Sequence, residues 1–329
     1  MNRLPPGSER PIVLITDHAW PDVEMERSII EAAGFALVAG PAQPGSAADI
    51  EALTARHQPA AILTNWAPVS ARAIAASPRL RVVGRLGVGL DNIAVEEATR
   101  RGVWVTNVPD YCSEEVSDHA VGMLLALARG IVHFDREVRS GRWQPATAQL
   151  QRVCTLVCGV LGFGRIGRLT ARKLAGFGAR VLVHARTADP SMPGVEFVGF
   201  DELLQAVDAL IVHVPLTRAT RHLLDRESLG RLRAGALLIN VSRGAVVDTA
   251  ALIEALESGR LHGAALDVLE HEPEVPAALL AHPNVILTPH VAFSSAASLA
   301  ELRRKSGEEV VRVLRGELPR QPCNRPLGY

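Results

Sequence analysis

The chain has 329 residues, about twice the usual length of one domain, so two domains are expected. Hydrophobic residues make up 48% and charged residues 21%, the balance of an ordinary globular protein with ample core. The formal net charge is zero, which removes the basic footprint that a nucleic-acid binder needs.

Lys173 and Lys305 are the only lysines, and nothing functional follows from that. Segment 1–10 is polar and proline-bearing, without the apolar core of a signal peptide. The longest strongly apolar helical run, 120–128, is far short of the ~20 residues that span a bilayer. The four cysteines, Cys112, Cys154, Cys158 and Cys323, form no C-x-x-C pair and no metal-ligand spacing. A cytoplasmic protein without a metal centre, nucleic-acid partner or membrane partner is the expectation.

In chain order, apolar runs at 11–16, 35–39, 60–64, 80–83 and 103–106 predict strands, with helices around 22–33, 47–57, 70–76 and 95–101 between them. Such alternation predicts a parallel sheet covered by helices. Residues 113–129 then read as a long apolar helix with Ser113 as N-cap and Glu114 and Glu115 in its first turn. A second series of strands starts at Val157 and continues through 180–184, 209–214, 236–241, 263–268 and 285–288. The amphipathic helix 295–315 follows it and is expected to cross back to the first unit. The predicted fold is α/β, with two doubly wound parallel-sheet domains. One, discontinuous, holds 1–107 and 292–329; the other, dinucleotide-binding, holds 108–291.

The first strand of the second series ends in Gly162-Phe163-Gly164-Arg165-Ile166-Gly167, a G-x-G-x-x-G that leads into a helix over 168–177 with Gly178 at its C-terminal cap. Gly162 permits the tight turn, Gly164 lets backbone approach a pyrophosphate, and Gly167 lets helix and strand pack closely. The amides of the first helical turn face the phosphates. A glycine-rich structural turn is the plainer alternative, and the flanking strand and helix weigh against it.

Ligands of open parallel sheets bind beyond the carboxyl ends of the strands. At those ends stand His184-Ala185-Arg186-Thr187, His213-Val214-Pro215, Val241-Ser242-Arg243-Gly244, Asp267 and Thr288-Pro289-His290. One such residue would be unremarkable, whereas this accumulation at one edge points to a site.

These residues carry a resemblance. From about Ile12 to Pro319 the chain resembles the D-isomer-specific 2-hydroxyacid dehydrogenases. The matching segments are 86–92 (LGVGLDN), the G-x-G-x-x-G run, 213–217 (HVPLT), 240–244 (NVSRG), 267–273 (DVLEHEP) and 288–290 (TPH). The resemblance implies a Rossmann cofactor domain, a flavodoxin-like substrate domain, a site in the cleft, and Arg243, Glu272 and His290 as the catalytic set. It implies a substrate carboxylate held by amides around Gly87, Val88 and Gly89. Candidate cofactor contacts are Gly162, Phe163, Gly164, Arg165, Ile166, Ala185, Arg186, Thr187, His213, Val214, Pro215, Thr220, Val241, Ser242, Asp267 and His290. The implied reaction is reversible NAD(P)-dependent reduction of a small 2-oxo acid to the D-2-hydroxy acid. The segment from 113 to Trp143 resembles the family's dimerisation arm, which implies a homodimer.

The chemistry suits those residue types. Hydride addition at C2 needs a proton donor near neutral pH, and histidine supplies one. A carboxylate beside it fixes the tautomer, and the arginine fork holds a carboxylate while polarising a carbonyl. Rivals remain at this point. His213 also follows a strand, although its Val-Pro sequel suits a turn beneath the nicotinamide. Glu270 competes with Glu272 on spacing, and only the resemblance and Pro273 separate them. His119, on the apolar helix, reads as structural.

NAD-specific sites place an acid at the end of the second strand to hold the ribose hydroxyls. By the family resemblance Ala185 takes that position; no acid appears before Asp189, while Arg186 and Thr187 suit a 2′-phosphate. NADP(H) is therefore expected ahead of NAD(H). Asn65 and Trp66, after the third strand, are candidate substrate-size determinants, with Phe293 as an opposite wall. Two other readings stay open: a dinucleotide-sensing, corepressor-like binding protein of the same fold, and a phosphite-type dehydrogenase.

Overall fold

The computed structural model describes residues 10–147, 150–189 and 191–328. Nearly all of the segment read as lacking a signal core lies outside them. The chain divides into two compact units, one of 1–111 with 295–329 and one of 112–294.

In the first unit β1 (Ile12–Ile15), α1 (Glu24–Ala32), β2 (Ala36–Ala39), α2 (Ala47–His57), β3 (Ala61–Thr64), α3 (Ala71–Ala75), β4 (Val82–Arg85), α4 (Val95–Arg100) and β5 (Trp104–Thr106) alternate as the sequence predicts. The sheet order is β2-β1-β3-β4-β5 with every pairing parallel. That is the flavodoxin-like order, in which the chain reverses direction across the sheet beside β1. Strands β3, β4 and β5 are buried on both faces, so they read as continuous apolar runs rather than alternating ones. Leu14, Ile50, Ile62, Ile74, Val83 and Val105 form the core. The last helix of the chain, Ala296–Leu314, belongs to this unit and packs against α1, β3 and β4.

The second unit opens with α5 (Ser113–Ala128) and α6 (Ile131–Arg139). The strand–helix series follows: β6 (Val157–Leu161), α7 (Arg165–Gly176), β7 (Arg180–His184), β8 (Val195–Phe197), α8 (Phe200–Ala206), β9 (Ala209–Val212), α9 (Arg226–Arg231), β10 (Ala236–Asn240), α10 (Thr249–Glu257), β11 (Leu261–Leu266), α11 (Ala277–Ala281) and β12 (Val285–Leu287). The helix 296–314 is then α12. The seven strands pair in parallel in the order β12-β11-β10-β9-β6-β7-β8. The first six from the β8 edge reproduce the doubly wound dinucleotide-binding order, with β6 at its centre. Leu161, Leu182, Leu210, Leu238, Leu252 and Leu266 lie in one continuous core.

Two local expectations change, and one strand is unforeseen. Ser113 is the first helical residue of α5 and not its cap: the Cys112 carbonyl already accepts the Val116 amide, so the turn closes one residue earlier without a side-chain cap. Helix α7 begins at Arg165 rather than 168, which puts Gly167 inside its first turn. Strand β8 escapes the sequence reading because it is a three-residue edge strand with Glu196 exposed. Among the described residues no helix is long and apolar enough to cross a membrane, and no cluster of His, Cys, Asp and Glu could hold a metal ion.

Candidate active site

Because all seven strands of the second unit run parallel, their carboxyl ends share one edge, and the turn of each strand delivers its side chains there. After β6, Gly162 sits at φ +101° with its α-carbon against His213: a Cβ would lie 2.8 Å from the His213 carbonyl carbon. A Cβ on Gly167 would lie 2.1 Å from the Gly162 oxygen, so only glycine lets α7 start this close to the strand. Gly164 is exposed and faces open space, with no atom within 4 Å of its Cβ position, and the N-terminus of α7 has no side-chain cap. Open approach plus uncapped amides fit a pyrophosphate. Arg165 is exposed and Ile166 half-buried in the first turn. Phe163 is buried edge-to-face on Phe197, ring centroids 5.0 Å apart, with the Arg168 guanidinium 4.5 Å above its ring.

At the end of β7, Ala185 is half-buried while Arg186 and Thr187 are exposed. The first acid beyond them, Asp189, is engaged by Ser191 and by Arg168. The Ser191 hydroxyl and then the Arg168 guanidinium hold its carboxyl down to about 2.

His213 follows β9. Burial pushes its imidazole down to about 4, so the ring is neutral, and its Nε2 is buried without a hydrogen-bond partner among the described residues. A buried orphan ring nitrogen beside the Gly162 turn fits a bound group that supplies the partner. Thr220 closes the following turn: its hydroxyl donates to the Pro215 oxygen at 2.6 Å and accepts the Thr217 amide at 2.7 Å, which shapes the chain after Val214.

After β10, the buried Asn240 ties the Arg243 turn. Its Oδ1 accepts the Ser242 amide at 3.1 Å and hydroxyl at 2.9 Å, and its Nδ2 donates to the Arg243 oxygen at 3.0 Å. The Arg243 guanidinium donates to the Ser242 oxygen at 2.8 Å, while Val241 is buried. Gly244 lies flat on the next segment, since a Cβ there would be 1.9 Å from the Leu269 carbonyl carbon.

That segment carries Glu272, joined to Pro273 by a cis peptide bond. Glu272 Oε1 accepts the Leu269 amide at 3.0 Å and Oε2 meets His290 Nδ1 at 2.8 Å. Burial alone would raise the Glu272 pKa, but hydrogen bonds from His290 and Leu269 and the nearby charge of Arg243 hold it below the ordinary value. The rival Glu270 is turned away, to His222 Nε2 at 2.6 Å and the Thr249 hydroxyl at 2.9 Å. His290 stands at φ +53°, with Phe293 edge-on to its ring. Asp267, fully buried after β11, spends its carboxylate on Thr288, Val291 and Ala292. His119 Nε2 lies 3.0 Å from the Thr288 hydroxyl, in a supporting position.

The first unit gathers its own candidates at the neighbouring ends of β3 and β4. The fully buried Asp17 accepts the amides of Asn65 (3.2 Å), Trp66 (2.7 Å) and Ala67 (3.2 Å). With its amide turned to satisfy both neighbours, Asn65 donates to the Leu86 oxygen at 3.1 Å and accepts from Trp66 Nε1 at 3.0 Å. Trp66 is half-buried, with Arg85 5.5 Å from its ring centroid. Gly87 sits at φ +154°, and the exposed Val88 is held by Asn107 Nδ2 on its oxygen at 2.7 Å; Gly89 is half-buried. Asp17 escapes the sequence reading, although an acid immediately after a first strand is a signal.

Residues 121–292 match the family model described as D-isomer specific 2-hydroxyacid dehydrogenase, NAD binding domain. A glyoxylate reductase of Korarchaeum cryptofilum is 40% identical over 276 residues, 80% of this chain and 83% of that protein. Among solved structures, a Thermus thermophilus protein superposes with a TM-score of 0.88 at 32% identity, over 95% of this chain and 100% of the other. An NADPH-dependent glyoxylate/hydroxypyruvate reductase of Sinorhizobium meliloti, solved with NADP and malonate, gives 0.84 at 33% identity, over 96% and 98%. Fold and strand-end chemistry thus define an oxidoreductase that works with a nicotinamide dinucleotide. The chain belongs to the D-isomer-specific 2-hydroxyacid dehydrogenase family.

Proposed function

We propose that this protein reduces a glyoxylate-sized 2-oxo acid to the D-2-hydroxy acid, with His290 as proton donor, Glu272 as its partner and Arg243 as the grip on the substrate. The observation that carries the reading is the 2.8 Å contact between His290 Nδ1 and Glu272 Oε2 on an edge shared with Arg243. A reduced nicotinamide bound at the β6 turn would supply the hydride to C2. His290, with Nδ1 engaged by Glu272, delivers a proton from Nε2 to the carbonyl oxygen. The ionised Glu272 balances the ring while it carries both protons and fixes its orientation. Arg243 holds the carboxylate and draws electron density toward the carbonyl oxygen. With NADPH and glyoxylate or hydroxypyruvate, His290→Ala is expected to lower kcat by ~10²-fold or more, and Arg243→Lys to fail because an ammonium cannot reproduce the fork. Near-normal turnover in His290→Ala would sink the assignment.

NADP(H) is the preferred cofactor in this reading. Ala185 leaves no acid for the ribose hydroxyls, Arg186 is exposed for a phosphate, and Asp189 is already spent on Arg168 and Ser191. A homodimer built on α5 and α6 is also proposed, supported by the exposed apolar residues Ile131, Val138 and Trp143. Light scattering at the mass of one chain, 35.2 kDa, would contradict it.

A further inference from the structure

His222 lies outside the set described so far, yet it touches both segments that the proposed chemistry needs. Its backbone amide donates to the Ala245 oxygen at 2.8 Å, two residues past Arg243, and Leu224 continues the pairing to Val246 at 3.0 Å. Its ring Nε2 binds Glu270 Oε1 at 2.6 Å, two residues before Glu272. The other Glu270 oxygen accepts the hydroxyl and amide of Thr249 at 2.9 and 3.3 Å, at the start of α10. Asp248 and Arg221 stand further off, each 4.0 Å from this pair. The Glu270 carboxylate is only 12% exposed, so it is committed to the scaffold rather than to solvent. Gly244 lies flat against the Leu269–Glu270 peptide between the two segments. His222 adopts φ +51°, a conformation uncommon for a side-chain-bearing residue, and its ring and amide contacts hold it there.

We propose that His222 is a positioning residue: through Glu270 it anchors the Glu272 segment against the Arg243 turn and so sets where the Glu272 carboxylate meets His290. The proposal rests on the reading of Glu272 and His290 as the proton-delivering pair. Misplacement of a reacting group by about 1 Å can cost ~10²-fold, so a loosened tie should act on turnover. Tight binding of cofactor at the β6 turn does not pass through this contact.

The test uses His222→Asn and His222→Gln in the full chain. Asparagine tolerates the left-handed backbone but is too short to reach Glu270, whereas glutamine restores the reach. His222→Asn is expected to lower kcat roughly 10-fold or more, with the KM for the 2-oxo acid and the NADPH dissociation constant from fluorescence titration changed less than about twofold. His222→Gln should recover most of kcat. In a Glu272→Gln background the Asn substitution should cost little more, because both act through one group. If His222→Asn folds poorly, Glu270→Gln, which keeps the volume and weakens the same contact, is read in its place. Wild-type turnover in His222→Asn beside an inactive His290→Ala overturns the tie alone, as does a loss that persists undiminished in the Glu272→Gln background. Wild-type turnover in His290→Ala overturns the underlying reading, and the tie with it.

Discussion

The main-chain oxygen of Asp267 accepts the amide of His290 at 2.8 Å, while its carboxylate accepts the amides of Val291 and Ala292 at 2.9 and 3.0 Å and the Thr288 hydroxyl at 2.6 Å. One buried residue therefore organises the whole turn that holds His290 in a left-handed conformation. Its charge is met by backbone dipoles and a hydroxyl, so it resists replacement by a neutral isostere.

Asp267→Asn keeps the shape but turns an amide NH2 toward donors. Leaving such a group mismatched should cost on the order of 1–3 kcal/mol of stability. Urea unfolding measures that loss. Turnover should fall as well, since the His290 turn loses its anchor. A variant with wild-type stability and kcat would contradict the role.

The β7 end makes a cofactor prediction. Wild type should show a higher kcat/KM with NADPH than with NADH, and Ala185→Asp combined with Arg186→Ala should move the preference toward NADH. An aspartate there repels a 2′-phosphate and accepts from ribose hydroxyls. A wild-type preference for NADH would show that Arg186 does not meet a phosphate.

His213 predicts a pH dependence of stability. Burial lowers its pKa from 6.5 to about 4, so the unfolded chain takes up a proton across that interval which the native state refuses. The contribution is fully present above about pH 6.5 and is lost as pH falls toward 4. Urea midpoints at pH 7 and pH 5 should therefore differ more in wild type than in His213→Gln. Equal differences in the two proteins would sink this account.

Trp66 predicts substrate size. We propose that the indole limits substrate length, so Trp66→Ala should raise kcat/KM for a bulky acid such as phenylpyruvate and lower it for glyoxylate. An unchanged ranking would return Trp66 to a packing role over Arg85 and Asn65.

Much of this was legible in the chain itself, for a physical reason. Buried parallel strands are written as unbroken apolar runs, and glycines forced by backbone contact, such as Gly162 and Gly167, stand at fixed offsets from them. Arg243 and His290 lie just past β10 and β12, at the strand ends where a site is sought, whereas Glu272 is singled out only by the family resemblance. Glu270 and Glu272 were inseparable on local spacing, because what distinguishes them is the partner each meets: His222, 48 positions away in sequence, or His290. Asp17 was hidden likewise, its amide partners being 48 to 50 residues distant. The start of α5 slipped by one residue because a serine beside a helix can sit at the cap or just within it.

The return of α12 to the first unit sets an order of birth. On the ribosome the strands β1 to β5 emerge early, yet β3 and β4 wait for the helix that packs on them until residues 296–314 are made. The second unit, continuous from 112 to 294, is complete before that helix appears. During synthesis the unit that begins the chain is therefore the last to close, and its half-covered apolar sheet is the surface most in need of protection from aggregation.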